Sequence, residues 1–158
     1  MAENRIEWVA SDAAKYVSSQ TGRFDLIAMI RFLDPGVLRD LSRVLNPGGL
    51  MTMHLGSPVF QAATVQKNAR NLRRVFRHVA PMALYIPLYG SLWCLGVASD
   101  TVDARALAPD TVAQRLRERR IGALKYYNPE VHQALFALPN FVRDLTADGN
   151  REPAKLAA

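Results

Sequence analysis

The spacing of apolar residues changes twice between residues 24 and 54, and each change predicts a new element. Residues 24–30 (FDLIAMI) form a nearly continuous apolar run, which is typical of a strand buried on both faces. In residues 37–45 the apolar positions recur at helical spacing. Residues 46–49 (NPGG) predict a turn that ends this helix, and residues 50–55 predict a second strand. We therefore predict a βαβ unit, whose crossover is right-handed in nearly all known cases.

The same reading predicts further elements on both sides of this unit, with no internal repeat and no linker. Strands and helices alternate at first, and an antiparallel hairpin and several helices follow. This order indicates an α/β fold that forms the latter half of an open sheet. The further predicted elements are a strand at residues 5–10, a helix at 13–19, a long helix at 58–79, strands at 82–88 and 92–98, and helices at 110–119, 129–136 and 139–145. Asp110 is the predicted cap of the helix at 110–119, and Ile121 is expected to face inward.

Length and composition bound the class of protein. A chain of 158 residues with 49% hydrophobic and 22% charged residues is typical of one globular domain, which we place at residues 1–147 before a flexible tail at 148–158. No apolar run approaches the roughly 20 residues of a membrane span. The first residues (MAENRIEW) lack a signal-peptide pattern, and a lone cysteine, Cys94, excludes an internal disulfide. We therefore predict a cytoplasmic protein that does not bind a membrane.

The net charge of +6 leaves two interpretations of a cluster of arginines in the long predicted helix. Arg70, Arg73, Arg74 and Arg77 recur at helical spacing opposite the apolar side of that helix. They form either a solvated face or a basic stripe that binds nucleic acid. Because no aromatic residues are interleaved with the arginines, the stacking platforms of single-strand binders are missing, and we favour the solvated face.

Candidate chemistry lies where the predicted strands end. The ligand site of a βαβ unit lies beyond the carboxyl end of its first strand, at residues 30–35 here, and His54 and Tyr89 could join it. Asp12 follows the strand at residues 5–10, where a carboxylate either binds a nucleoside or caps the next helix. From spacing alone we favour the cap. The chain has no GxGxxG, P-loop, GxSxG or HExxH motif, so spacing predicts only a small-molecule site.

Three segments resemble the aminopropyltransferases, the spermidine synthase family. The most specific is residues 126–139 (YYNPEVHQALFALP), which is similar to the C-terminal signature of that family. Residues 85–100 (YIPLYGSLWCLGVASD) resemble the segment that carries its IPxY tyrosine, and residues 45–49 (LNPGG) are shared with class I methyltransferase-like folds. The resemblance implies a partial Rossmann-like, methyltransferase-like sheet with a C-terminal antiparallel strand pair and flanking helices. In the family, a small β domain precedes the sheet.

The resemblance also implies a reaction. The family transfers an aminopropyl group from decarboxylated S-adenosylmethionine to putrescine or a related amine, and releases methylthioadenosine. The amine attacks a carbon next to a sulfonium, so the enzyme must align a deprotonated amine and accept its proton. The adenosyl sulfonium is a co-substrate, and the resemblance implies neither a separate cofactor nor a metal.

Site roles follow from the resemblance residue by residue. Asp12 and Ala13 match an acidic-small pair that meets the adenine, and Pro35 completes a D-x-x-D-P motif at the donor. Asp34 would hold the nitrogen of the amine or of the aminopropyl group. Tyr89 matches the IPxY tyrosine, and His54 stands where many members have a glutamine near the reacting centre. We interpret Trp93 as a core residue and His132 as a structural residue that ties its helix to the sheet.

The chain departs from the family in three ways, one of which is that the family's glycine- and proline-rich loop after the D-P pair is shortened here to Gly36. Arg31 stands where the family has the aspartate presumed to be the base, and an arginine cannot accept a proton at neutral pH. The sequence also lacks the β domain, the glycine-rich nucleotide loop and the acidic residue for the ribose. We therefore expect little turnover from this chain alone. The alternative is a catalytically inactive homologue that acts as a binding or assembly module.

The missing half also leaves the edge of the strand at residues 24–30 open, which favours association. In the methyltransferase-like strand order, two absent strands belong between this strand and the one at residues 5–10. Three explanations stay open: those two strands pair directly, another chain supplies the edge, or the chain is a fragment of a longer product. We expect a homo-oligomer or pairing with a full-length homologue, and no nucleic acid.

Overall fold

The computed structural model describes residues 9–30 and 34–147. Most of the strand predicted at residues 5–10 lies outside this range, as do Arg31 and the predicted tail at 148–158. Residues 9 and 10, which are described, are not in a strand. The described part holds a sheet of four strands, six α-helices and two short 3₁₀-helices.

The elements follow the predicted order of strands and helices. They are α1 (Ala13–Ser19), β1 (Phe24–Met29), α2 (Pro35–Arg43), β2 (Leu45–Gly56), α3 (Ala62–Arg73), β3 (His78–Ile86), a 3₁₀-helix (Pro87–Tyr89), β4 (Ser91–Ser99), a 3₁₀-helix (Ala104–Ala106), α4 (Pro109–Glu118), α5 (Pro129–Phe136) and α6 (Asn140–Thr146).

The strand order in the sheet is β1-β2-β4-β3. β1 and β2 are parallel and α2 connects them, which confirms the predicted βαβ unit. β3 and β4 pair antiparallel in continuous register, from His78 opposite Ser99 to Ile86 opposite Ser91, which confirms the predicted hairpin. β4 also pairs antiparallel with β2, so the hairpin folds back beside the parallel pair.

The NPGG segment lies inside β2, and the prediction that it is a turn between helix and strand was wrong. α2 already ends at Arg43, and Leu45 pairs with Phe24. The next paired residues are Leu26 and Leu50, so the segment bulges out of the register. Gly48 has a φ of 83°, and a Cβ on Gly49 would meet the Asn46 carbonyl oxygen at 2.8 Å, so the bulge requires both glycines.

The long helix predicted at residues 58–79 is too long at both ends. α3 covers only Ala62–Arg73, and β3 begins at His78 and not at residue 82. Val79 and Ala80 are buried and pair with β4, so the apolar residues assigned to the end of the helix belong to a strand. Arg70 and Arg74 are exposed, as a solvated face requires.

Alternation along the strands gives the sheet two different faces. The closed face carries residues that are buried against α2, α3 and the segment before α6. They are Met51, Met53 and Leu55 of β2 and Cys94, Gly96 and Ala98 of β4. The open face carries the residues that alternate with these: Leu26, Ala28, Leu50, Thr52, His54, Trp93, Leu95 and Val97.

β1 is not buried on both faces, contrary to the prediction from its apolar run. Ile27 and Met29 pack against the core of the closed face, whereas Leu26 is 63% exposed and Ile30, just after the strand, is 78% exposed. Two smaller predictions for α4 were also wrong. Asp110 lies in its first turn and does not cap it, and Ile121, expected to face inward, is exposed.

Candidate functional site

The candidate site lies at the edge of the sheet where β1 and β2 end. Met29 pairs with Met53 in the parallel register, so Ile30 and His54 come next at the same edge. Asp34 follows β1 at the start of α2, and Asp12 lies at the start of α1. In an open α/β sheet, ligands bind beyond the carboxyl ends of the parallel strands.

Asp34 caps α2. Its Oδ1 accepts hydrogen bonds from the backbone N–H groups of Gly36 at 2.8 Å and Val37 at 3.1 Å. Pro35 is the first helical residue, where its fixed φ suits the helix and its missing N–H costs nothing. Asp34 is exposed, and its Oδ2 accepts no hydrogen bond from any of the described residues.

Asp12 caps α1 in the same way. Its Oδ1 accepts from the backbone N–H groups of Ala14 at 3.0 Å and Lys15 at 3.1 Å, and Ala13 begins the helix. The preferred interpretation of Asp12 as a helix cap is therefore confirmed. A contact with adenine stays a prediction for both Asp12 and Ala13.

His54, Tyr89 and Trp93 form an aromatic cluster on the open face. The Nε1–H of Trp93 donates a hydrogen bond to Nδ1 of His54 at 3.2 Å. The ring centroids of Tyr89 and Trp93 are 4.3 Å apart, and the His54 ring lies edge-on to both, at 6.4 Å from Tyr89 and 5.9 Å from Trp93. This cluster brings together two of the predicted site residues.

The local chain explains why these three rings meet. Tyr89 ends a 3₁₀-helix, and Gly90 follows with a φ of 57°, which turns the chain into β4. Trp93 lies two residues along β4 from Leu95, which pairs with His54. The prediction that Trp93 belongs to the core was wrong, because it alternates with the buried Cys94 and faces the other side of the sheet. That alternation was visible in the sequence.

Burial lowers the pKa of His54 below the ordinary histidine value. The charged imidazolium loses hydration when it is partly buried, so the neutral ring is favoured. In the described residues, 9–30 and 34–147, neither Asp34 nor Asp12 forms a hydrogen bond with His54. The described site thus consists of a neutral aromatic cluster and a capped carboxylate at the same edge of the sheet.

His132 is structural, as predicted, but it ties its helix to the segment after β4 and not to the sheet. Its Nε2 lies 3.0 Å from the carbonyl oxygen of Ala104, and its Nδ1 lies 2.9 Å from the hydroxyl of Tyr127. A carbonyl only accepts, so Nε2 carries the proton and Nδ1 accepts from Tyr127. These bonds tie α5 to the 3₁₀-helix after β4. Asn128 caps α5 by accepting a hydrogen bond from the N–H of Val131 at 2.7 Å. Tyr127, Asn128 and His132, which belong to the segment that resembles the family's C-terminal signature, therefore hold this helix in place.

Across the described ranges, no group of three or more His, Cys, Asp and Glu residues is arranged to hold a metal ion. The same part of the chain contains no helix that is both long and apolar enough to cross a membrane. A cytoplasmic location stays a prediction.

Comparison with known proteins decides the family. The model of the spermine/spermidine synthase domain matches residues 1–105, which is more than half of the chain. The chain belongs to the spermine/spermidine synthase family. Among curated relatives, the polyamine aminopropyltransferase of Nitrosomonas europaea is 31% identical over 91% of this chain and 47% of its own length. That of Sulfolobus acidocaldarius is 26% identical over 90% of this chain and 51% of its own length.

Solved structures of the family show the same fold. Spermidine synthase from Thermotoga maritima superimposes with a TM-score of 0.79 at 26% identity, over 92% of this chain and 50% of the solved chain. A spermidine synthase in complex with the transition-state analogue AdoDATO gives a TM-score of 0.76 at 25% identity, with the same coverage. The predicted Rossmann-like, methyltransferase-like class is therefore confirmed. The chain spans about half the length of the curated relatives it matches.

Proposed function

We propose that this chain provides the amine-side half of an aminopropyl-transfer site. In this reaction an aminopropyl group passes from decarboxylated S-adenosylmethionine to putrescine or a related amine. The observation that carries the proposal is the cluster of His54, Tyr89 and Trp93 beside the end of β2, in a chain that belongs to this family.

The described groups suit a chain of methylene groups that ends in an ammonium. Asp34 uses Oδ1 for its helix cap, which leaves Oδ2 for a charge-assisted bond to an ammonium or to the aminopropyl nitrogen. The rings of Tyr89 and Trp93 offer apolar faces to methylene groups and attract a cation through their π-systems. Asp12, Ala13 and Pro35 would contribute the adjacent donor side.

Two features of the sequence oppose turnover by this chain alone. Arg31, three residues before Asp34, cannot take the proton that the attacking amine must lose. The sequence also contains no GxGxxG loop for the nucleotide, and the chain spans about half the length of its relatives. We therefore propose that transfer requires a complementary half of the fold and a carboxylate in place of Arg31.

The test measures methylthioadenosine after incubation with decarboxylated S-adenosylmethionine and putrescine. We expect no product from this chain alone. We expect product when Arg31→Asp is combined with the N-terminal half of the Nitrosomonas europaea relative, and much less when Asp34→Ala is added. Turnover by the unaltered chain alone would show that neither the base nor the second half is needed. A formed complex of the Arg31→Asp chain without product would refute the amine-side role.

A second candidate is an inactive assembly module that associates through β1. The specific observation is the outer edge of β1, which pairs with no strand in the described part of the chain. Two apolar residues at that edge are largely exposed: Leu26 is 63% exposed and Ile30 is 78% exposed. An open edge with exposed apolar residues favours pairing with another chain, whether a second copy or a full-length homologue.

Size-exclusion chromatography with light scattering tests this candidate. We expect a dimer or larger species that becomes a monomer in the Leu26→Lys, Ile30→Lys double variant. Leu124→Lys is a matched control, because Leu124 is 47% exposed but follows α4, on the side of the molecule where α5 packs on β3. A clean monomer of the unaltered chain at high concentration would argue against the module.

A further inference from the structure

The hydrogen bond between Trp93 and His54 restricts where the imidazole can carry its proton. An indole Nε1–H is only a donor, so the Nδ1 of His54 must accept with its lone pair. A neutral histidine with a lone pair on Nδ1 carries its single proton on Nε2. Protonation of Nδ1 would place two N–H groups against each other and break the bond.

The described part of the chain leaves the other nitrogen of His54 to a ligand. Among the described residues, Nε2 has no hydrogen-bond partner, and it is not one of their buried unsatisfied atoms. The titratable group in ring contact with His54 is Tyr89, at a centroid distance of 6.4 Å. Burial lowers the pKa of His54, and no carboxylate among residues 9–30 and 34–147 opposes that effect. The ring is therefore neutral near pH 7, with one N–H to which none of the described residues is hydrogen-bonded.

We infer that Trp93 is a positioning residue that holds His54 as a neutral Nε2–H donor, so that the site offers a hydrogen bond to an acceptor atom of its ligand. Suitable acceptors are a hydroxyl or carboxylate oxygen or an uncharged amine nitrogen. An ammonium, which has no lone pair, is excluded from this position. The consequence for the ligand rests on the proposed function, whereas the tautomer is a property of the chain itself.

The inference also means that His54 cannot serve as the catalytic base. The family's presumed base is an aspartate, and this chain has Arg31 at that position. Nδ1 is engaged by Trp93, and Nε2 already carries a proton. The imidazole therefore cannot accept the proton of an attacking amine while the Trp93 bond is intact. It can orient the ligand, as a neutral amide donor would.

Long-range ¹H–¹⁵N correlation spectra of the imidazole groups test the inference on the full-length chain. Loss of one set of signals in His54→Gln assigns His54 among the three histidines. We expect a pyrrole-type Nε2 and a pyridine-type Nδ1 near pH 7, with a titration midpoint below the ordinary histidine value. Trp93→Phe should raise that midpoint and introduce the Nδ1–H tautomer.

Tyr89→Phe is the matched control, since it keeps a ring beside His54 and leaves the Trp93 donor in place. It should leave the tautomer unchanged. The Nε2–H pattern of His132, fixed by Ala104 and Tyr127, reports whether each variant is folded. An Nδ1–H tautomer or a charged ring of His54 near pH 7 in the unaltered chain would overturn the inference, whatever the variants do. None of these readouts depends on turnover, so a failure of aminopropyl transfer would leave this result standing.

Discussion

The closed and open faces of the sheet differ in how completely the described chain covers them. On the closed face, Met51, Met53 and Leu55 are at most 1% exposed beneath α2 and α3. On the open face, Leu26 is 63% exposed, and His54 and Trp93 are only partly buried. The same four strands supply both faces. Packing of the closed face therefore stabilises the fold, and the candidate chemistry lies on the less covered side.

This difference fits a domain whose described helices leave the open face uncovered beside β1. A doubly wound sheet normally carries helices on both faces. Here the helices between successive strands of the described chain, α2 and α3, both contact the closed face through β2. Any cover for the open face beside β1 would come from residues outside the described part or from another molecule.

The largest predicted effect comes from truncating a leucine on the closed side. Leu72 of α3 is fully buried, so Leu72→Ala should lower the free energy of unfolding by about 2–5 kcal/mol through lost burial and a residual cavity. Urea denaturation followed by circular dichroism measures this change. The matched substitution on the open face, Leu26→Ala, should change it by less than about 0.5 kcal/mol. Equal losses would mean that the open face is covered in solution.

A smaller effect is expected from adding a methyl group to the closed face. A Cβ on Gly96 would lie 2.6 Å from Cδ1 of Leu72 and 3.2 Å from Cδ2 of Leu55. We expect Gly96→Ala to cost about 1–3 kcal/mol in unfolding free energy, because the close packing cannot absorb the extra volume. Gly22→Ala is the control, since nothing lies within 4 Å of its Cβ position. A neutral Gly96→Ala would indicate that α3 moves away from the sheet easily.

The smallest effect is a pH dependence that originates on the open face. The folded-state pKa of His54 is lowered, so the unfolded chain binds more protons at this residue in the range below about pH 6.5. The contribution of His54 to stability is therefore full above that pH and is lost as pH falls toward the folded-state pKa. Comparing urea midpoints of the unaltered chain and His54→Gln between pH 7.5 and 5 isolates this term. A difference that does not change with pH would contradict it.

Sequence patterns predicted the elements best where neighbours in the chain determine the structure. α1 and α5 have the predicted bounds because Asp12 and Asn128 are strong N-caps, and a cap is a local interaction. The long predicted helix failed because residues 74–79 continue an apolar helical spacing. Val79 and Ala80 instead pair with Ala98 and Val97 of β4, partners that helical spacing does not reveal.

The candidate site could be predicted only in part for the same reason. His54 and Tyr89 were identified from strand ends and from the family resemblance. The hydrogen bond from Trp93 depends on the register between β2 and β4, in which His54 lies opposite Leu95. β2 and β4 are not consecutive along the chain, so no hairpin turn fixes their register, and it shifts between His54 and Gly56. The exposure of Leu26 was missed because an apolar run does not reveal whether a covering layer is present.

The rate at which the single cysteine is alkylated can measure how often the sheet of this protein opens. The thiol of Cys94 is fully buried on the closed face, and burial raises its pKa to about 11, so it is neither accessible nor ionised near pH 7. An alkylating reagent can react only when β4 separates from the helices that cover it. Because the chain contains no other cysteine, each labelling event reports that one motion. The labelling rate thus converts to the free energy of exposing the middle of the sheet, without any introduced probe.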